Sequence, residues 1–159
     1  MASCQYRKSC LEGVFPYKVE LYVHYYGEGH SMKHALRILM NNFTIEETSF
    51  LYKLREEGYF DFPAFWDYYN SVRDIIRQTL DKPLDREISR AIVFTHSKIL
   101  EHIIWDYSDQ DIYHIQNLPY DKLHDVLERL GFLVDGYLQG FLIDEQTFGP
   151  DFKIRFWPK

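Results

Sequence analysis

The feature that most constrains this chain is one unbroken apolar stripe. Phe62, Phe65, Trp66, Tyr69, Val72, Ile75, Ile76 and Leu80 recur at three- and four-residue spacing over five turns. That period puts them on one side of an α-helix. Asp61 and Pro63 mark its start: an aspartate N-cap accepts from free amides of the first turn, and a proline there gives up no hydrogen bond. A helix of this kind is stable only when other elements cover its stripe.

The covering elements read out on either side of it. Ser31 caps a helix running to about Asn41, with Ala35, Leu36, Leu39 and Met40 as its stripe. Thr44-Ile45-Glu46-Glu47 has the form of a capping box and opens a helix that stops near Gly58, a C′ residue. A fourth helix begins around Pro83 to Asp85 and runs to about Tyr107. Its apolar residues lie on more than one side (Ile88, Ile92, Ile99 and Ile103, but also Val93, Phe94, Leu100 and Ile104), the mark of a central helix. Pro119 opens a fifth, with Leu123, Val126, Leu127 and Leu130 inward and Gly131 as its stop.

Strands are expected at the two ends. Tyr17, Val19, Leu21, Val23 and Tyr25 alternate with polar residues, giving a half-buried strand over 17–26 closed by Gly27-Glu28-Gly29. Phe152, Ile154 and Phe156 alternate with Lys153 and Arg155 in a short final strand. Residues 130–142 read two ways. Asp135-Gly136 can turn a hairpin between Phe132-Leu133-Val134 and Tyr137-Leu138, and Leu130, Val134, Tyr137 and Phe141 also follow a helical stripe. The balance tips toward strands. The expected class is α+β and predominantly helical, with about five helices, the strand at 17–26 and short C-terminal strands, in one globular domain over 1–159. At 159 residues, 46% hydrophobic and 26% charged, the chain can bury roughly 70% of its unfolded surface without a disulfide or metal.

No stretch approaches the ~18 apolar residues of a membrane span, and the first residues lack a signal-peptide core. The expected location is therefore cytoplasmic. Cys4 and Cys10 are the two cysteines, and their spacing fits neither a redox CxxC nor a zinc half-site, so they read as free thiols.

Chemistry-bearing motifs are scarce. Gly27-Glu28-Gly29 sits between a strand and a helix, as phosphate loops do. However, Met32 stands where a dinucleotide fingerprint needs glycine, and no Gly-Lys-Ser/Thr follows. His30 and His34 are four apart, but His30 precedes the cap residue and no HExxH is formed; His96 and His102 fall on different helical faces. No GxSxG elbow is present. No cofactor and no metal are expected, and no enzyme signature stands out. A scattered site using His96, His102 and nearby acids remains one reading. A helix-turn-helix centred on residues 31–61 is another, but its second helix would lead with Glu46 and Glu47 against DNA.

The charge is uneven. Residues 1–100 balance, whereas 101–151 carry eleven acids against Lys122 and Arg129, a net −9, and 152–159 return +3. Such a field repels phosphate backbones, making nucleic acid an unlikely partner, and attracts basic proteins. Within the acidic part, Trp105, Asp106, Tyr107, Asp109, Asp111 and Tyr113 mix rigid aromatics with carboxylates, the pairing that interfaces use for anchoring and partner choice. The same residues are also what a helix end uses for capping and core packing. In size, acidity and Tyr/Trp richness the chain resembles the immunity proteins of bacterial toxin–immunity systems. That resemblance implies a non-enzymatic inhibitor that binds a basic, nuclease-like toxin one to one; it assigns no individual residue.

Overall fold

A computed structural model of the chain describes residues 30–109 and 112–148. Five α-helices lie among them: α1 (His30–Phe43), α2 (Phe50–Glu56), α3 (Phe62–Thr79), α4 (Arg86–Asp106) and α5 (Leu123–Gln139). Single 3-10 turns occupy Tyr120–Lys122 and Glu145–Thr147. The protein is predominantly helical. The strands expected at 17–26 and 152–156 lie outside the described residues, as do Cys4, Cys10, the Gly27–Gly29 turn and Asp111.

The stripe of α3 organises the rest. Asp61 caps the helix by accepting from the Ala64 amide at 2.9 Å, Pro63 sits in the first turn, and Phe65, Trp66, Tyr69, Val72, Ile75 and Ile76 are buried. Its far end, Leu80, emerges into solvent. Helix α1 lies along α3 and also touches α4, while α5 packs across α3 and α4. Around the start of α3, Phe50, Phe60, Phe62 and Phe65 meet largely edge to face, with ring centroids 5.0–5.4 Å apart. Such geometry adds to area burial, at about 0.5–1.5 kcal/mol per pair.

Two boundaries differ from the sequence reading. The Thr44–Glu47 box does not open a helix. Thr44 instead closes α1, its amide and hydroxyl both donating to the Met40 carbonyl (2.8 and 2.9 Å), and Ile45 takes a left-handed φ of 59°. Ser49 is the real cap of α2, accepting from the Tyr52 amide. The choice is made by a buried tertiary group: the Asn42 carboxamide donates to Ile38 O and accepts from the Leu51 amide at 3.0 Å, sewing α1 to α2. Gly58, at φ 58°, follows the cap of α2 as expected.

The second correction is at 130–142, which is helix and not hairpin. Gly131 does not stop α5; the helix runs through it to Gln139 and ends where Gly140 turns left-handed at φ 73°. Asp135-Gly136 makes no turn. Gly136 is glycine because the Phe141 carbonyl lies where a Cβ would sit, 2.6 Å away. Helix α4 is corrected as well: Ile88, Ile92, Ile99 and Ile103 are buried, but Val93 and Ile104 face solvent, so it buries one broad side only.

Beyond Gly140 the chain doubles back along α5. Arg73 of α3 donates to Ile143 O at 2.9 Å and pairs with Glu145 at 2.7 Å. Glu145 also accepts from the Tyr69 hydroxyl and faces the buried Arg129 at 3.5 Å. Phe148 then lies over the Arg129 guanidinium, 4.1 Å from ring centroid to its carbon, and packs on Phe132. The return therefore runs from the C-terminal end of α5 toward its middle.

Candidate functional site

The acidic, aromatic region singled out in the sequence falls at the C-terminal end of α4 and in the linker leading to α5. Tyr107 caps α4, its amide donating to Ile104 O and Trp105 O. The linker then folds back under its own helix. Gly58–Phe60 and Gln116 form one short parallel bridge, with Gln116 N–H donating to Gly58 O at 2.7 Å and Phe60 N–H to Gln116 O at 2.9 Å. The Asn117 amide group donates to Phe60 O, and Ile115 and Leu118 are buried beneath. A side chain at Gly58 would collide with the His114 carbonyl, 2.8 Å from its Cβ position.

Asp106 is the knot that holds this return. Its side chain is 1% exposed. One carboxylate oxygen accepts from the Ile115 amide at 2.6 Å and lies 3.0 Å from His114 Nδ1; the other accepts from the Tyr120 hydroxyl at 2.6 Å. The carboxylate offered as a partner contact is thus spent on the protein's own linker, because charge-assisted bonds to a backbone amide and a phenol compensate its burial. Hydrogen bonding to Asp106 pushes the Tyr120 phenol up to about 12, since ionising it would set two anions together.

Trp105 and Tyr113 are half-buried and belong to the same packing. Trp105 meets His102 edge to face at 4.9 Å, Tyr113 lies over His102 at 5.4 Å, and the Tyr113 hydroxyl donates to Leu54 O on α2. The His102 ring is buried with its Nδ1 unbonded, and loss of hydration holds its pKa down at about 4. Burial likewise raises the Tyr113 phenol above its ordinary value.

What faces solvent is a different set. Tyr107 (58% exposed) and Tyr120 (49%) meet edge to face, with ring centroids 5.8 Å apart. Ile104 (66% exposed) precedes Tyr107 by one turn on α4, and Ile112 in the linker is fully exposed. Asp109 and Asp121, both exposed, flank the two tyrosines in sequence. Of the six expected contact residues, Tyr107 and Asp109 reach the surface. Trp105, Asp106 and Tyr113 are drawn inward, and Asp111 lies outside the described residues. Ile104, Ile112, Tyr120 and Asp121 are exposed as well and are not among the expected contacts. Ile104 sits off the main stripe of its helix, and Tyr120 sits off the stripe of α5; those were the available signals.

The other two readings find this geometry. His96 is half-buried and His102 is enclosed by aromatic rings. Among the described residues no group of three or more His, Cys, Asp and Glu could hold a metal ion. The second helix of the supposed DNA-binding pair is only Phe50–Glu56, with Phe50, Leu51 and Leu54 buried. No helix among the described residues is long and apolar enough to cross a membrane. No family model, curated protein or solved structure matches the chain.

Proposed function

We propose that this protein is a non-enzymatic binder of a basic protein, an inhibitor of the immunity type, and that its contact face is built on Ile104, Tyr107 and Tyr120 with Asp109 and Asp121 at the rim. One observation carries the reading: two tyrosines held edge to face stand in solvent, at the start of the stretch whose net charge is −9. Rigid aromatics supply contact area at little cost in conformational entropy, and unpaired rim carboxylates attract lysine and arginine. Asp106 contributes indirectly. By binding the Tyr120 hydroxyl and the Ile115 amide it fixes one ring of the pair and the path of the linker.

The partner class follows from charge: a protein with a basic surface such as a nuclease, which the complex would neutralise one to one. The test is recovery of a basic partner from the native cell, followed by its affinity for the Tyr107→Ala and Tyr120→Phe variants. Loss of the Tyr107 ring is expected to weaken binding about tenfold or more, as anchor truncations do. Tyr120→Phe keeps the ring but loses its tether to Asp106, and is expected to weaken binding less than Tyr107→Ala does. Unchanged affinity for Tyr107→Ala overturns the proposed face.

A further inference from the structure

Helices α4 and α5 run side by side in opposite directions and are tied at both ends. At one end the Tyr137 hydroxyl meets the backbone of Asp85, 3.3 Å from its nitrogen and 3.4 Å from its oxygen; at the other the Tyr107 and Tyr120 rings meet. Two apolar rows converge on that ring contact: Val93, Leu100 and Tyr107 along α4, and Tyr120, Leu127 and Val134 into α5. Members of each row stand seven residues apart, nearly two turns, so each row keeps to one side of its helix. Val93, Tyr107 and Tyr120 are exposed and the other three are half-buried. The tyrosine face is thus one end of an apolar furrow that follows both helices. We infer that this furrow receives an amphipathic helix of the partner, apolar on its inward side and carrying lysine or arginine along one edge. The inference rests on the reading of the tyrosine face as a surface for a basic protein, and it names the element that docks.

Three observations support it. The first is Gly131, which lies in the α5 row between Leu127 and Val134. A glycine in mid-helix costs stability, and Gly136 has an internal reason in the Phe141 carbonyl; Gly131 has none, because a Cβ there meets nothing within 4 Å. Its bare surface lets an outside backbone come close. The second is shape. From Tyr120 to the exposed Leu138 the furrow is roughly 27 Å long at helical rise, the length of a five-turn helix, and apolar side chains at three- and four-residue spacing fit such a seam. The third is charge. Asp121, Glu128 and Asp135, again seven apart, line the furrow's α5 edge; all three are exposed, and none forms an ion pair among the described residues. The facing edge of α4 carries the uncharged Ser97 at its middle. A second copy would bring the same three acids and a further formal charge of −6, so the charge favours an unlike, basic occupant.

Selection of displayed peptides against the full chain tests this. One library holds helix-forming peptides of about 18 residues, apolar on one side and random among Lys, Gln and Glu elsewhere; a second holds hairpin-forming peptides of the same composition. Helical binders with lysine gathered along one edge are expected. Their Kd, read by fluorescence anisotropy, should rise at least about tenfold on Gly131→Leu, a variant expected to melt no lower than the parent, and likewise on Glu128→Lys with Asp135→Lys. The charge pair decides the matter if Gly131→Leu does not fold. Failure to recover helical binders, equal use of Lys and Glu in them, or affinity unmoved by these variants overturns the inference. A dimer seen in sedimentation that Gly131→Leu abolishes also overturns it, in favour of a second copy. Tyr107→Ala separates the two readings. Hairpin binders that it weakens and Gly131→Leu does not would uphold the tyrosine face and remove the docked helix; helical binders weakened by Gly131→Leu alone would uphold the furrow and remove that face.

Discussion

Replacing Asp106 by alanine tests whether this carboxylate is a structural knot or an interface group. Its side chain is 1% exposed and meets the Ile115 amide, the Tyr120 hydroxyl and the His114 ring. The last two groups are exposed and regain water when the carboxylate is removed. Ile115 is fully buried, so its amide does not. An unsatisfied buried donor costs about 1–3 kcal/mol, and the lost charge-assisted bond from the phenol adds about 1 kcal/mol. The expected loss is therefore about 2–4 kcal/mol in the free energy of unfolding, measured by urea denaturation. Asp106→Asn keeps an acceptor for Ile115 and is expected to lose about half as much. Asp109→Ala, on the surface, should stay within about 0.5 kcal/mol of the parent. A stability of Asp106→Ala indistinguishable from that of Asp109→Ala would show that Asp106 does not hold the linker.

Three further outcomes are expected. Gly131→Ala should raise stability by about 0.5–1 kcal/mol, because a Cβ there meets nothing within 4 Å in mid-helix, whereas Gly136→Ala should lower it by about 1–3 kcal/mol against the Phe141 carbonyl; thermal melts decide both. His102 is held neutral in the folded chain down to about pH 4, while the unfolded chain binds its proton near 6.5. Stability from this group is thus complete above about 6.5 and is lost as pH falls toward 4, by at most about 3 kcal/mol; His102→Phe should flatten that part of the pH profile of unfolding. Glu145→Ala leaves Arg129 buried without that carboxylate and should cost about 2 kcal/mol, less than a fully buried pair because Glu145 is partly exposed. Denaturation of the single variant and of Glu145→Ala with Arg129→Met checks this, and the double change is expected to recover part of the loss.

Legibility in the sequence tracked the range of the interaction concerned. Helix α3 is readable because its cap, Asp61, and its stripe are local; the start of α4 is legible only as the range Pro83 to Asp85, within which Asp85 proves to be the cap. The start of α2 was not: Thr44 and Ser49 are equally good caps by type, and the decision comes from Asn42 reaching the Leu51 amide in the fold. The two glycines of α5 were misread for a related reason. Gly131 looks like a stop and is not, while Gly136 looks like a turn and is a close approach to a carbonyl five residues on. At the candidate site, the sequence marks an acidic and aromatic stretch but not which of its members turn inward. Whether Asp106 or Asp109 turns inward depends on Ile115 and Tyr120 returning to α4, which no spacing of acids and aromatics encodes.

If an acidic rim around exposed aromatics recruits a basic partner, association must depend on salt. With the partner immobilised, the association rate of the parent chain should fall steeply between about 0.05 and 0.3 M salt, whereas that of Asp109→Lys with Asp121→Lys should start at least about tenfold lower and vary little, with dissociation rates changing much less. Equal association rates and equal salt slopes for the two proteins would contradict the claim.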